Sequence, residues 1–165
     1  VHEDVCDKGF DRELDSFVES YGSKMLDASL LLLPAVGFLP PDDPRIRGTV
    51  AAIERDLMRG GFVLRHDPRE TIEEQPAEGA FLACTLWLAD ACVLAGDTAK
   101  AQALFDRVAG IANDLGLFAE EYDTDARRQT GNFPQALTHI ALINTAQNLS
   151  LAKRAAEKPA VQRSK

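Results

Sequence analysis

The sequence predicts an all-α fold, and three observations support this prediction. Apolar residues recur at helical spacing, most clearly at Ile46, Val50, Ile53 and Leu57. Capping residues precede the apolar runs and glycines follow them. Most of the unusual polar residues lie between these runs. We therefore expect about five helices in antiparallel pairs, with any functional site built from the loops.

Length, composition and charge narrow the possible functions. The 165 residues fit a single domain, and 45% hydrophobic with 27% charged residues is typical of a folded globular protein. We expect residues 1–157 to form that domain and the polar residues 158–165 to be a frayed tail. The net charge of -8 argues against nucleic acid or an anionic membrane as a partner.

The three cysteines, Cys6, Cys84 and Cys92, indicate neither a disulfide framework nor a zinc site, because their number is odd and no CxxC pair occurs. Cys84 and Cys92 lie two helical turns apart in an apolar run, which is typical of small core residues in a reducing compartment. No signal peptide or membrane-spanning run is visible, so we expect a cytoplasmic protein. No cluster has metal-ligand spacing and no phosphate-binding loop occurs, so we expect no cofactor.

The first half of the chain contains one apolar stretch and one well-delimited helix. Residues 26–36 are apolar on nearly every side and predict a helix that is buried all round. Asp43 and Pro44 form an N-cap and first-turn pair, and they open a helix that Gly60 and Gly61 should end. A short β-like piece follows at residues 62–65, before a polar loop that runs from Asp67 to about Ala77.

The second half contains three further helices. Glu78 begins the strongest of them, which Gly96 should end. Asp97 or Thr98 then caps a helix that should continue to Gly116. A loop containing Glu120 and Glu121 leads to Gly131, and Pro134 stands in the first turn of the last helix, which extends to residue 157.

One pair of helices allows another interpretation. Residues 86–108 resemble one unit of a tetratricopeptide-type helical hairpin, with small residues at the close approach and an AGD turn. A repeat array should show the same pattern about 34 residues away, and it does not recur. A helical interaction module therefore remains the second interpretation.

Five stretches together resemble the C-terminal part of the catalytic domain in the glucoamylase and trehalase family of glycoside hydrolases, most closely its bacterial and mycobacterial members. In order, they are SYGSKMLDASLLLLPAVGFLPPDDPRIRGTVAAIERDL, GFVLRHDP, EGAFLACTLWLADACVLAGD, NDLGLFAEEYD and GNFPQALTHIALINTA. They cover nearly the whole chain in the order of the family. The resemblance implies an (α/α)6 toroid with an active site among the loops at one end. This chain has room for about half of such a toroid, which fits its start at Val1 within an apparent helix.

The resemblance also implies the chemistry. Inverting hydrolysis uses a protonated carboxyl group for the leaving oxygen and an ionised one for the attacking water, roughly 6.5–9.5 Å apart. The stretch Ala119 to Tyr122 matches that of the family's general base, which makes Glu120 the base. Glu121 would orient Glu120 or a sugar hydroxyl. Alternatively, both glutamates are exposed loop acids.

The remaining candidates are substrate-binding residues. Arg65 matches an arginine that the family uses against sugar hydroxyls, which suits the fixed fork of guanidinium donors; alternatively it pairs with Asp67 or Glu70. Tyr122 would line the sugar pocket or cover the core. Glu78 would face the substrate, or stand at a helix start because the helix dipole favours an acid there.

Four other residues carry weaker functional signals. Trp87 is interpreted as core, His139 as a structural histidine, and Asp27 as a cap or a buried hydrogen-bond partner. His66 departs from the family, which commonly has tyrosine at that position, so the resemblance supports no contact there.

The family's general acid lies in a tryptophan–glutamate stretch of the N-terminal half, and nothing here matches it: Trp87 is followed by Leu88. We therefore expect the isolated chain to have little or no hydrolase activity. Its substrate would be an α-glucoside (trehalose, maltose or a starch-type α-glucan), and its main partner would be the missing N-terminal half of the toroid. Uncovered apolar helix faces would favour self-association. An inactive remnant or a pure interaction module are the alternatives.

Overall fold

The computed structural model describes residues 1–67 and 78–157. About half of these described residues are helical, so helices dominate as predicted, but three small sheets accompany them in the same part of the chain. The described helices are α1 (His2–Lys8), α2 (Pro44–Leu57), α3 (Leu82–Leu94), α4 (Thr98–Ala109) and α5 (Ala136–Glu157), with one 3-10 helix at Ala28–Leu32. The described strands are β1 (Phe10–Asp11), β2 (Ser16–Phe17), β3 (Met58–Arg59), β4 (Phe62–Val63), β5 (Ala80–Phe81), β6 (Glu121–Asp123) and β7 (Arg128–Thr130). Most of the predicted polar loop, residues 68–77, and the predicted tail, residues 158–165, lie outside the described residues.

The sheets are antiparallel, and one of them joins distant parts of the chain. Strands β1 and β2 pair locally, as do β3 and β4. The third sheet has the order β5-β6-β7, and Ala80 lies opposite Tyr122. This pairing places the residues before α3 beside the segment that contains Glu120.

Side-chain caps begin α2, α4 and the 3-10 helix at the aspartates that the sequence predicts. An oxygen of Asp43 accepts a hydrogen bond from the backbone N–H of Arg45 at 2.9 Å, and Asp97 accepts one from Lys100 at 3.1 Å. Asp27 accepts one from Ser29 at 2.7 Å, which confirms its capping role. These bonds satisfy N–H groups that have no partner within the first turn of a helix.

Helix α3 is the centre of the core. It packs against both α4 and α5, and apolar residues cover it on nearly every side, as expected for a helix surrounded by protein. Cys84 and Cys92 are buried in it, as predicted. Burial raises the pKa of the Cys84 thiol to about 12 and that of Cys92 to about 11, so both are weakly nucleophilic.

The prediction for residues 26–36 is wrong in two respects. Only Ala28–Leu32 is helical, and it is a short 3-10 helix rather than an α-helix. Leu31 is buried, but Val36 is 75% exposed. The backbone turns at Gly37, whose φ is 72°, so the apolar stretch does not continue as a buried helix.

Two predicted helix ends are also wrong. Gly60 and Gly61 do not cap α2, which ends at Leu57; they form the turn between β3 and β4, with φ values of 57° and 87°. Helix α4 ends at Ala109 rather than near Gly116. Beyond it, the side chain of Asn113 accepts hydrogen bonds from the backbone N–H groups of later residues, which favours a turn over further helix.

The predicted position of Glu78 at a helix start is wrong, because α3 begins at Leu82 and Glu78 precedes β5. The predicted loop that contains Glu120 and Glu121 is largely the β6–β7 hairpin. In its turn, Asp123 accepts hydrogen bonds from the backbone N–H groups of Asp125 and Ala126, at 3.0 and 2.9 Å. Such local bonds are typical of turn-forming aspartates.

Helix α5 presents an apolar outer face to solvent. Leu137, Ile140, Ile143 and Leu151 are each about half exposed or more, whereas Thr138, Ala141 and Thr145 on the inner side are buried. We call the four exposed residues the outer face of α5. Within the described residues, none of the helices is long and apolar enough to span a membrane.

Candidate active site

The backbone at Glu120 is fixed by its two preceding residues. Phe118 and Ala119 are buried, and the Phe118 ring meets the His139 ring edge-on at 5.5 Å. The carbonyl oxygen of Ala119 accepts a hydrogen bond from the Thr138 hydroxyl at 2.9 Å, and its N–H donates to the side chain of Gln129. Both backbone polar groups of Ala119, directly before Glu120, are therefore hydrogen-bonded to side chains.

The side chain of Glu120 accepts hydrogen bonds from two amide groups. Oε2 accepts from Asn132 Nδ2 at 2.9 Å and from the Asn132 backbone N–H at 3.3 Å, and Oε1 accepts from Gln135 Nε2 at 3.2 Å. Neither amide is a candidate from the sequence alone. Both belong to the GNFPQ stretch that carried part of the family resemblance, yet a contact across 12 to 15 residues has no local signal.

A glycine makes room for this carboxyl group. Gly131 has a φ of 76°, in the left-handed region that favours glycine. A Cβ atom at this position would lie 3.1 Å from Oε2 of Glu120 and 3.6 Å from Oε1 of Glu121. Gly131 therefore borders both glutamates.

Glu121 lies in β6, where it is opposite Phe81 of β5. Its Oε2 accepts a hydrogen bond from the backbone N–H of Gly79 at 2.8 Å. Burial raises the pKa of the Glu121 carboxyl group above its ordinary value, the charges of Glu78 and Glu120 add to the increase, and the Gly79 hydrogen bond opposes it. Glu121 therefore takes up a proton more readily than an exposed glutamate.

Three of the sequence-predicted residues lie together. Glu78, Glu121 and Tyr122 line a cavity of about 500 Å³, with Asp123 and Arg128 at the same cavity. We call it the acidic cavity.

Tyr122 has a second contact that bears on its predicted role. Its ring lies 4.8 Å from that of Phe62, in the core cluster beneath. The residue thus both covers the core and lines the acidic cavity, the two roles that the sequence left open.

Arg65 lies elsewhere. It lines a different cavity, of about 290 Å³, together with Asp27, Phe81, Trp87 and Leu137. Its Nε lies 3.8 Å from Asp27 Oδ2, a partner that the sequence did not predict, and its guanidinium lies 5.8 Å from the centre of the Phe81 ring. Glu120 is not among the residues that line either cavity. The described residues therefore do not gather the five candidates into one pocket.

Two histidines near these residues, His66 and His139, contact other residues of the protein. Nδ1 of His139 donates to the carbonyl oxygen of Gln135 at 2.7 Å, and its Nε2 accepts from the backbone N–H of Phe118 at 3.4 Å, which agrees with a structural role. His66 Nε2 lies 3.8 Å from Glu78. Across residues 1–67 and 78–157, no group of three or more His, Cys, Asp and Glu side chains is placed to hold a metal ion.

The chain is similar to proteins of known activity. It is 42% identical over 158 residues to a trehalase of Mycobacterium tuberculosis, covering 95% of this chain and 23% of that protein. It is 40% identical over 152 residues to a trehalase of Thermoplasma volcanium, covering 92% of this chain and 24% of that one. The chain thus spans about a quarter of the length of these curated trehalases.

Solved structures agree with the sequence comparison. A wild-type glycosidase superposes with a TM-score of 0.77 at 25% identity, covering 91% of this chain and 42% of its own. A variant of a glycosidase bound to glucose superposes with a TM-score of 0.75 and the same coverage. The sequence model of glycosyl hydrolases family 15 matches residues 1–147, which is most of the sequence. The chain therefore belongs to glycosyl hydrolases family 15.

Proposed function

We propose that this chain is part of an enzyme that hydrolyses α-glucosidic bonds with inversion, and that Glu120 is its general base. The observation that carries the proposal is the setting of Glu120 in a chain of this family. Its backbone follows two buried residues, and its carboxyl group accepts hydrogen bonds from fixed N–H donors. A general base must be positioned accurately against the proton that it removes.

In the proposed reaction, Glu120 takes a proton from a water molecule as that water attacks the anomeric carbon. The bond between this carbon and the leaving oxygen breaks, and a carboxylic acid on the other side of the sugar protonates that oxygen. No stretch of this sequence matches the family's acid, so we assign the acid to residues outside the chain. The isolated chain is then expected to have little or no activity, since proton transfer contributes about 10²–10⁴-fold to such rates.

Arg65, Glu78, Glu121 and Tyr122 are the proposed substrate-binding residues. Three of them line the acidic cavity, where carboxyl groups could accept hydrogen bonds from sugar hydroxyls. The raised pKa of Glu121 also allows it to donate a hydrogen bond when protonated. The substrate is an α-glucoside, namely trehalose, maltose or an α-glucan; the relatives at about 40% identity are trehalases, and one structural neighbour contains glucose.

The proposal includes a partner for the helices. Residues 1–157 would form about half of an (α/α)6 toroid, and the missing N-terminal half would cover the outer face of α5. Four exposed apolar residues along one helix favour such a contact, because soluble proteins rarely leave large apolar patches uncovered. The three cysteines are free thiols, which suits the cytoplasmic location that forms part of the proposal.

A chimera tests this proposal. The matching segment of the Mycobacterium tuberculosis trehalase is replaced by this chain, and trehalose, maltose and an α-glucan are offered as substrates. We expect hydrolysis of at least one substrate, with new β-glucose visible by NMR before mutarotation. Trehalose should give one β-glucose and one α-glucose, because only the attacked anomeric carbon inverts. Glu120→Gln should lower kcat by about 10²–10⁴-fold and leave glucoside binding largely intact. Glu157→Gln, at the exposed end of α5, is the matched control. Turnover retained by Glu120→Gln, or α-glucose alone as the initial product from trehalose, would contradict the assignment.

The outer face of α5 also supports a second candidate function, that of an inactive helical interaction module. Both functions use the outer face of α5, but only the hydrolase uses Glu120. If the chain is a binding module, Glu120→Gln leaves its association with partners unchanged, and its chimera does not hydrolyse glucosides. Self-association of the isolated chain through the same face would appear as a dimer by analytical ultracentrifugation, and Ile143→Glu should remove it.

A further inference from the structure

We propose that Asn132 and Gln135 are positioning residues that orient the carboxyl group of Glu120 for its reaction. This inference rests on the proposed function of Glu120, and it adds two residues to which neither the sequence nor the family resemblance assigned a role. Both residues lie in the segment between the end of β7 at Thr130 and the start of α5 at Ala136. They link the start of that helix to the carboxyl group.

The two amides bind opposite oxygens. Asn132 holds Oε2 through its side chain at 2.9 Å and its backbone N–H at 3.3 Å, and Gln135 holds Oε1 at 3.2 Å. A carboxyl group bound at both oxygens cannot rotate freely about its last bond. Its plane is therefore fixed relative to the main chain, which is what a base in near-attack geometry requires.

Gln135 is itself held in place. Its Oε1 accepts a hydrogen bond from the Leu137 N–H at 3.3 Å, so the side chain caps α5 and its Nε2 is left to donate to Glu120. The backbone N–H of Gln135 donates to the carbonyl oxygen of Phe118 at 2.9 Å. The donor is thus tied both to the helix and to the segment that carries Glu120.

Neutral donors also suit a base. A carboxylate has about four lone-pair sites on its two oxygens, and the three donors described here occupy three of them. One site therefore remains for a water molecule. Amides supply hydrogen bonds without the full positive charge of lysine or arginine, which would weaken the basicity of the group more strongly.

Two variants test these roles in the chimera. Asn132→Ala removes a donor, and Gln135→Glu keeps the oxygen that caps α5 but removes the donor to Glu120. We expect each to lower kcat by about 10-fold to 100-fold with little change in KM, and to move the acid limb of the kcat–pH profile to higher pH. Asn148→Ala is the matched control, because it removes a side-chain amide in α5 that binds a different carboxylate, that of Asp90, at 3.0 Å. It should lower thermal stability without moving the profile.

The outcomes separate this inference from the proposed function. If Glu120→Gln abolishes turnover but both variants keep the parent's pH profile and kcat, the positioning role is wrong and the base assignment stands. If Glu120→Gln retains turnover, the base assignment fails. The positioning role then depends on a readout without turnover, the ¹³C chemical shift of the Glu120 carboxyl carbon in this chain at neutral pH. A changed chemical shift in both variants relative to the parent supports the contacts, and an unchanged chemical shift overturns them.

Discussion

Glu120 and Glu121 are neighbours in sequence, but their carboxyl groups lie in different surroundings. Glu120 accepts hydrogen bonds from the side chains of Asn132 and Gln135, near the start of α5. Glu121 accepts one from a backbone N–H of Gly79 and lines the acidic cavity. Successive side chains of an extended segment point in opposite directions. A pair of identical residues can therefore meet two environments, and we infer two roles: base for Glu120 and substrate contact for Glu121.

A substitution at Gly131 tests these two roles strongly, because it fills the space beside the carboxyl group of Glu120. Gly131→Ala would place a methyl group 3.1 Å from Glu120 Oε2 and force a side chain into a backbone with a φ of 76°. We expect kcat in the chimera to fall about 100-fold, because a displaced base loses its alignment. The free energy of unfolding should fall by about 1–2 kcal/mol. Unchanged kcat in a variant with reduced stability would show that the position of Glu120 is not critical.

The matching change beside Glu121 should have a smaller effect. A Cβ atom at Gly79 would lie 3.0 Å from the carbonyl oxygen of Tyr122 and 3.1 Å from Glu121 Oε2. Gly79→Ala should therefore lower the free energy of unfolding by about 1 kcal/mol through overpacking. We expect it to raise KM for the glucoside while kcat stays within about threefold, because Glu121 is assigned to binding. A larger loss of kcat than for Gly131→Ala would reverse the two roles.

A pH titration of stability gives the smallest and most specific effect. The pKa of Glu121 is raised by burial, so its stabilising contribution is complete below its ordinary value of about 4.5 and is lost as pH rises through the folded-state pKa. Glu121→Gln keeps an acceptor for Gly79 but cannot ionise. The variant should therefore gain stability relative to the parent as pH rises from 4 to 7, measured by urea unfolding. A constant difference across this range would show that Glu121 is not penalised for its charge.

Features set by nearby residues were predictable from the sequence. Asp27, Asp43 and Asp97 are all recognisable as possible caps, because a cap bonds to an N–H two or three residues away. The sequence also predicts the last helix nearly to its observed bounds, Ala136–Glu157. The family resemblance, drawn from five ordered stretches, is confirmed by the family match.

Features that depend on distant pairing were not predictable. Glu78 precedes an apolar helical run, so the sequence predicts a helix start there. The sheet that it precedes instead forms only when Ala80 pairs with Tyr122, 42 residues later. The sequence predicts a loop around Asp123 rather than a hairpin, because β6 has only three residues, too few for alternation to be recognised. The contacts of Asn132 and Gln135 with Glu120 likewise join residues 12 and 15 positions apart, so they form only when the segment before α5 packs beside Glu120.

The most direct test of the account compares the two glutamates in one enzyme. Glu120→Gln and Glu121→Gln are made separately in the chimera, and kcat and KM are measured for the glucoside that it hydrolyses best. The account predicts that Glu120→Gln lowers kcat by about 10²–10⁴-fold, whereas Glu121→Gln mainly raises KM and keeps kcat within about tenfold. Equal losses of kcat in the two variants, or a larger loss for Glu121→Gln, would contradict the assignment of Glu120 as the base.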